Sequence, residues 1–231
     1  MSLLRRPVAA RRERALRRCA PGPLADLLAS PSPERDTPLE RLPLLAVDIE
    51  TTGLDPVRDR VLAVGWVPVD GGRVDLGGAG GHVVADAGEV GRSATVHGIT
   101  DDALAAGLPL EDVLGALLRA LAGRVLLAHF ARIETTFLGA ACERRWGAGL
   151  PVEVVDTFEL ERRARGGGWD AASEPGALRL WTARARYGLP VYRAHEALTD
   201  ALACAELYLA QRAHLDEEAP ETTTTLRHVV A

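Results

Sequence analysis

The segment Val47-Asp48-Ile49-Glu50-Thr51-Thr52-Gly53 places two carboxylates at i and i+2, at the end of an apolar run that reads as a strand. Alternation along a strand sends both side chains to the same face. A strand buried on both faces does not tolerate two unpaired charges, because desolvating each costs several kcal/mol. A hard divalent cation such as Mg²⁺ meets that need, since it takes oxygen ligands and keeps several waters. The alternative is that the strand ends earlier and both acids are solvated. Further carboxylates must come from elsewhere, and His195-Glu196-Ala197-Leu198-Thr199-Asp200 supplies a His and an Asp five residues apart at a helix start. That spacing puts His195 in the loop or first turn and Asp200 more than one turn further on, so one can bind metal while the other faces a water. Read alone, His195 is equally an exposed helix-start histidine.

The elements that must position these groups follow from hydrophobic period. Short apolar runs at 44–47, 61–69 and 82–84 alternate with linkers rich in Gly, Asp and Pro, and Asp70-Gly71-Gly72 is a short hairpin signal. Three antiparallel strands are expected there. Thr100, followed by Asp101 and Asp102, N-caps a helix whose apolar face is Val113, Leu114, Leu117, Leu118 and Leu121, ended at Gly123. Residues 124–128 read as a buried strand, 132–146 as a helix and 152–155 as a strand, with Asp156 able to cap the next helix. A Gly-rich loop at 165–176 precedes helices at about 178–187 and 195–214. Strands first, then strands alternating with helices, give an α/β fold: a mixed five-stranded sheet flanked by helices.

With 231 residues and 47% hydrophobic composition the chain supports one substantial domain plus tails. Residues 1–19 hold seven Arg against one Glu and are followed by a Pro-rich stretch to Pro43, which marks a boundary. The expected organisation is an Arg/Pro-rich arm at 1–42, a main domain at 43–214 and a tail at 215–231. The arm reads as a short helix at the domain edge, a polymer- or partner-binding arm, or a transit peptide, and the Thr222 to Thr225 run as a frayed end. The chain has no Lys, so its 27 basic residues are all Arg, a coding bias more than a design for phosphate. A net charge of −5 argues against a protein that coats nucleic acid and leaves open an enzyme that binds one strand end. Cys19, Cys142 and Cys204 lack zinc-site spacing, which suits a reducing compartment. No apolar run reaches the ~18 residues of a membrane span, and no secretory h-region is evident. A soluble, cytoplasmic protein with no membrane partner is expected.

Three segments then stand in a telling order: Asp48-Ile49-Glu50-Thr51-Thr52-Gly53-Leu54, Ala128-His129-Phe130-Ala131-Arg132-Ile133-Glu134, and His195-x4-Asp200. They resemble the three exonuclease motifs of the DEDDh family, and the chain is similar to the proofreading subunits of bacterial DNA polymerase III. Val96-His97-Gly98-Ile99-Thr100 resembles another stretch of that family, and together the likeness spans about 44–209. Two departures stand out, Phe130 where the family has Asn and Glu134 where it has Asp. A Glu reaches one methylene further, so it still serves as an acid if its helix sits slightly back.

The resemblance implies a ribonuclease-H-like fold and hydrolysis of a 3′-terminal phosphodiester with two Mg²⁺ ions about 3.5–4 Å apart, Mn²⁺ substituting. On that reading Asp48 bridges both ions, Glu50 and Asp200 hold the water-binding ion, Glu134 lies on the outer side and His195 is the general base. Thr51, Thr52 and Leu54 contact the terminal nucleotide, with Leu54 wedged against its base, and His97 lines the same cleft. Phe130 offers a ring for stacking or is core. The expected substrate is a single-stranded or frayed 3′ end, DNA ahead of RNA. Alternatives are an exoribonuclease or oligonucleotide-degrading enzyme, and a weakly active nucleic-acid-binding or polymerase-associated module. A polymerase subunit is a possible partner that the sequence does not decide.

Overall fold

The apolar run beginning at Pro43 forms a central strand, β1 (Pro43–Thr51), in a computed structural model that describes residues 7–85, 99–166, 175–218 and 221–230. Along β1 the side chains divide by parity. Leu45, Val47 and Ile49 enter one hydrophobic cluster, and Leu44 and Ala46 enter another on the opposite face. Asp48 and Glu50 continue the second series.

β2 (Val61–Asp70) pairs antiparallel with β1. β3 (Arg73–Val74) and β4 (Gly80–Val83) both pair antiparallel with β2. On the other side of β1, β5 (Val125–Ala128) pairs with it in parallel, and β6 (Val154–Asp156) pairs in parallel with β5. The sheet has six strands, in the order β3-β2-β1-β5-β6 with β4 on β2, where five were expected. The added strand is β3, created where the chain reverses at Gly71, whose φ is +61°. Two residues carry no alternation to read, so the hairpin signal was visible and its short return strand was not.

The α-helical segments among the described residues cover both faces. α1 (Val8–Leu16) and α2 (Pro23–Ala29) precede the sheet. α3 (Asp101–Ala105) starts at Thr100, whose side chain accepts the Ala103 N–H at 3.2 Å. The helix expected to run on from Thr100 breaks before α4 (Leu110–Leu121), since Pro109 has no N–H to continue it. α4 buries Val113, Leu114, Leu117, Leu118 and Leu121, the face read from the spacing. α5 (Arg132–Trp146) and α6 (Thr157–Ala164) follow β5 and β6. Then come α7 (Leu180–Arg186), α8 (Ala197–Glu218) and α9 (Leu226–Val229).

Both flanking segments pack on the domain. Ala15, Leu24, Leu27 and Leu28 join the cluster under α4, and the Arg12 guanidinium is buried, donating to the carbonyls of Leu27 at 2.5 Å and Ser30 at 2.8 Å. At the other end residues 222–225 are not frayed. The Leu39 N–H bonds the Thr224 carbonyl at 2.9 Å and the Leu226 N–H bonds Thr37 at 3.0 Å, while Leu226 and Val229 fill the second cluster. Among the described residues no helix is long and apolar enough to cross a membrane.

Candidate active site

The parity of β1 aims Asp48 and Glu50 at α8, which crosses β1 and β2. The close crossing depends on Gly65. It stands opposite Asp48 in β2, and a Cβ there would overlap the backbone of Ala197 and Leu198 at the start of α8. That approach delivers Asp200, 8% exposed, to the strand end. The Asp200 Oδ2 accepts the His195 backbone N–H at 3.0 Å, across a residue whose φ is +65°. Ligand atoms of Glu50, His195 and Asp200 all lie within 4.8 Å of one another. Glu134 comes from the first turn of α5 and is 3% exposed.

The carboxyls raise one another. Asp48 is held well above the usual carboxylate range by desolvation first, then by the charges of Glu134, Asp200 and Glu50. Desolvation, then Asp200, pushes Glu50 up to about 7. Desolvation pushes Glu134 up to about 8, with Asp156 adding to the rise and a backbone hydrogen bond opposing it. Asp200 is raised by desolvation and partly restored by the N–H and the charge of His195. None of these four acids is in an ion pair with an arginine among the described residues, and Glu134 Oε2 and Asp200 Oδ1 are buried with no hydrogen-bond partner. Four neighbouring carboxyls, two of them with an orphaned oxygen, are a donor set that a hard divalent cation fits.

A second carboxylate clamp shapes the turn after β5. Asp156 accepts the N–H groups of Phe130, Ala131 and Phe158, each at 2.9 Å, so it caps α6 and also ties the residues that lead into α5. Phe130 is held at φ +65°, is 43% exposed, and sets its ring 5.2 Å from that of Phe158. It is therefore not core. The neighbouring His129 is a structural pin. Its Nε2–H donates to the Leu178 carbonyl and its Nδ1 accepts from the Thr157 hydroxyl, each at 2.9 Å, and burial lowers its pKa to about 4.

The loop after β1 exposes Leu54 to 77%. Its hydroxyls are engaged within the loop: Thr51 donates to the Gly53 carbonyl at 2.6 Å, and Thr52 donates to Asp59 and accepts from the Arg60 N–H, both at 3.0 Å. What faces outward there is the Leu54 side chain. His97 lies outside the described residues. Sequence reasoning read Asp156 only as a helix cap and passed over Gly65; the cap spacing pointed to the first, while a lone glycine in a strand was the only mark of the second.

A mixed sheet with acids at the ends of its parallel strands and a His-x4-Asp helix start defines a class, and the chain belongs to it. It is a member of the RNase_T exonuclease family, whose model matches residues 45–208, and it is an exonuclease, a hydrolase of phosphodiester bonds. It is 29% identical over 179 residues to the DNA polymerase III subunit epsilon of Treponema pallidum, covering 76% of this chain and 79% of that relative. A DNA polymerase III subunit epsilon-like protein of Rhodobacter capsulatus is 31% identical over 176 residues, 75% of this chain but 24% of its own length. For the PolC-type polymerase III of Thermotoga petrophila the identity is 28%, and the chain spans 12% of that protein. Among solved structures, the nuclease domain of 3′hExo, a DEDDh family member bound to rAMP, superposes with a TM-score of 0.60 at 14% identity, covering 74% of this chain and 92% of that one. E. coli Exonuclease I in complex with a dT13 oligonucleotide gives 0.57 at 17% identity, covering 77% and 43%. At such identities these two attest the fold, and the family to which the chain belongs depends on divalent metal.

Proposed function

We propose that the chain removes nucleotides from the 3′ end of single-stranded or frayed DNA, with Asp48, Glu50, Asp200 and Glu134 holding two Mg²⁺ ions, replaceable by Mn²⁺, and His195 as general base. The observation that carries this is a cluster of four carboxyls in which Asp48 is destabilised by the other three, two of the four have orphaned oxygens, and the exposed His195 lies beside Glu50 and Asp200. Bound divalent ions supply the charge that keeps the acids ionised, acidify water and stabilise the leaving oxygen. His195 takes the proton of the attacking water as the new O–P bond forms opposite the 3′-oxygen. The bond from phosphorus to that oxygen breaks, solvent protonates it, and the strand is one nucleotide shorter. Leu54 wedges against the terminal base, the backbone of Thr51 and Thr52 follows the strand end, and the exposed Phe130 ring stacks on a neighbouring base. His97 lines the same cleft. DNA is preferred over RNA because a curated relative, of whose length this chain covers 79%, is named as a DNA polymerase subunit, and that relation also suggests a polymerase partner.

End-labelled DNA and RNA of one sequence, incubated with protein and Mg²⁺ or Mn²⁺, test the proposal. A 3′-shortening ladder from DNA that an Asp48→Ala control does not give supports it. Turnover of RNA alone overturns the DNA assignment, and no turnover above the control leaves a binding module.

A further inference from the structure

The arginine-rich arm lies ahead of the family match, yet it folds against the second motif. Between them runs a groove of about 1050 Å³, lined on the arm side by Pro7, Arg11 and Arg35 and on the α5 side by Arg132, Thr135 and Thr136. Its floor includes Glu153 and Asp156. Both acids are already engaged: Glu153 pairs with Arg35, Nε to Oε1 at 3.1 Å, and Asp156 holds three backbone N–H groups. Arg11 and Arg132 are exposed and have no ion-pair partner among the described residues. A chain of net charge −5 thus presents two unmatched guanidinium groups across one groove. On α5, residues 132, 135 and 136 share one face, while buried Glu134 points the other way. The groove is therefore behind the helix that carries Glu134, and its lining reaches Ala131, next in the chain to the exposed Phe130.

We infer that this groove takes the phosphodiester backbone of the single strand upstream of the 3′ end. The strand passes over Phe130 and lays successive phosphates against Arg132 and Arg11. Guanidinium groups suit phosphate oxygens because their planar fork gives paired charge-assisted bonds. The contacts read no base, so the groove adds affinity for length and not for sequence. The arm then acts as a polymer-binding arm, one of the readings that its composition left open.

This inference rests on the nuclease reading, and two measurements separate the two. Binding of fluorescent dT20 in EDTA, followed by anisotropy across a salt series, reports the groove without catalysis. Turnover of thymidine 5′-monophosphate p-nitrophenyl ester with Mn²⁺ reports the catalytic centre without a long strand. For Arg11→Ala with Arg132→Ala, dT20 affinity should fall about tenfold, and the slope of log affinity against log salt should shrink by about 1.4, two single-strand contacts. Ester turnover should be unchanged, and the Arg11→Lys, Arg132→Lys pair should keep most of the affinity. Unchanged dT20 affinity and slope overturn the inference. So does an unchanged dT20 affinity with lost binding of an oligoglutamate peptide, which assigns the groove to an acidic protein segment. A parent protein that binds dT20 in this way but cleaves no ester sinks the catalytic reading and leaves the groove standing.

Discussion

Phe130 and His195 are the two non-glycine residues at positive φ among the described residues, both at +65°, the first in the turn that leads to Glu134 and the second beside Glu50 and Asp200. Left-handed backbone costs an L-residue about 1–2 kcal/mol, and in both cases a carboxylate bonded to backbone N–H groups offsets it: Asp156 for Phe130, Asp200 for His195. Asp200 thus serves twice, aiming an oxygen into the carboxyl cluster while its other oxygen fixes the backbone of the proposed base. Replacing His195 by Ala leaves that N–H in place. The expected outcome is a kcat lowered roughly 10²–10⁴-fold with strand affinity in EDTA nearly unchanged; wild-type kcat in the variant would remove His195 from the mechanism. The spacing His195-x4-Asp200 was readable in the sequence, whereas the positive φ was not, because neither residue type demands it.

At the scale of elements, the site is a meeting of β1, β2, α5 and α8, and Gly65 decides how closely α8 comes. A methyl group there collides with backbone rather than with a movable side chain. For Gly65→Ala we expect a stability loss of about 1–3 kcal/mol in urea unfolding, typical of overpacking. The larger effect should be on kcat, about 10²-fold lower, because displacing the start of α8 moves Asp200 relative to Asp48. A variant that matches the parent in both would show that the sheet and α8 absorb a methyl group. The i and i+2 placement of Asp48 and Glu50 on one face was legible from strand period alone. That the same face packs on α8 rather than on α5 was not, since the apolar residues of β1 are buried on both sides.

For the whole molecule, the carboxyl cluster makes stability depend on pH and metal together. Without metal, Glu50 and Glu134 keep their protons up to about 7 and about 8 in place of 4.5, so folding takes up protons across that interval. Their contribution is full below pH about 4.5 and is lost as pH rises through those values. In EDTA the melting temperature should therefore fall between pH about 5.5 and about 8.5, saturating Mg²⁺ or Mn²⁺ should remove most of the fall, and Glu134→Gln should flatten it while abolishing turnover. A metal-free melting curve that is level or rises over that range would contradict the electrostatics. The sequence by itself determined the candidate acids and the histidine, the main strands and helices that carry them, and the order of the motifs, because period, caps and short motifs act over a few residues. Tertiary structure alone decided which oxygens are orphaned, that Asp156 holds the second-motif turn, that Gly65 admits α8 and that the arm walls a groove. Those features arise between residues distant along the chain, where burial and close approach, not local spacing, set the energy.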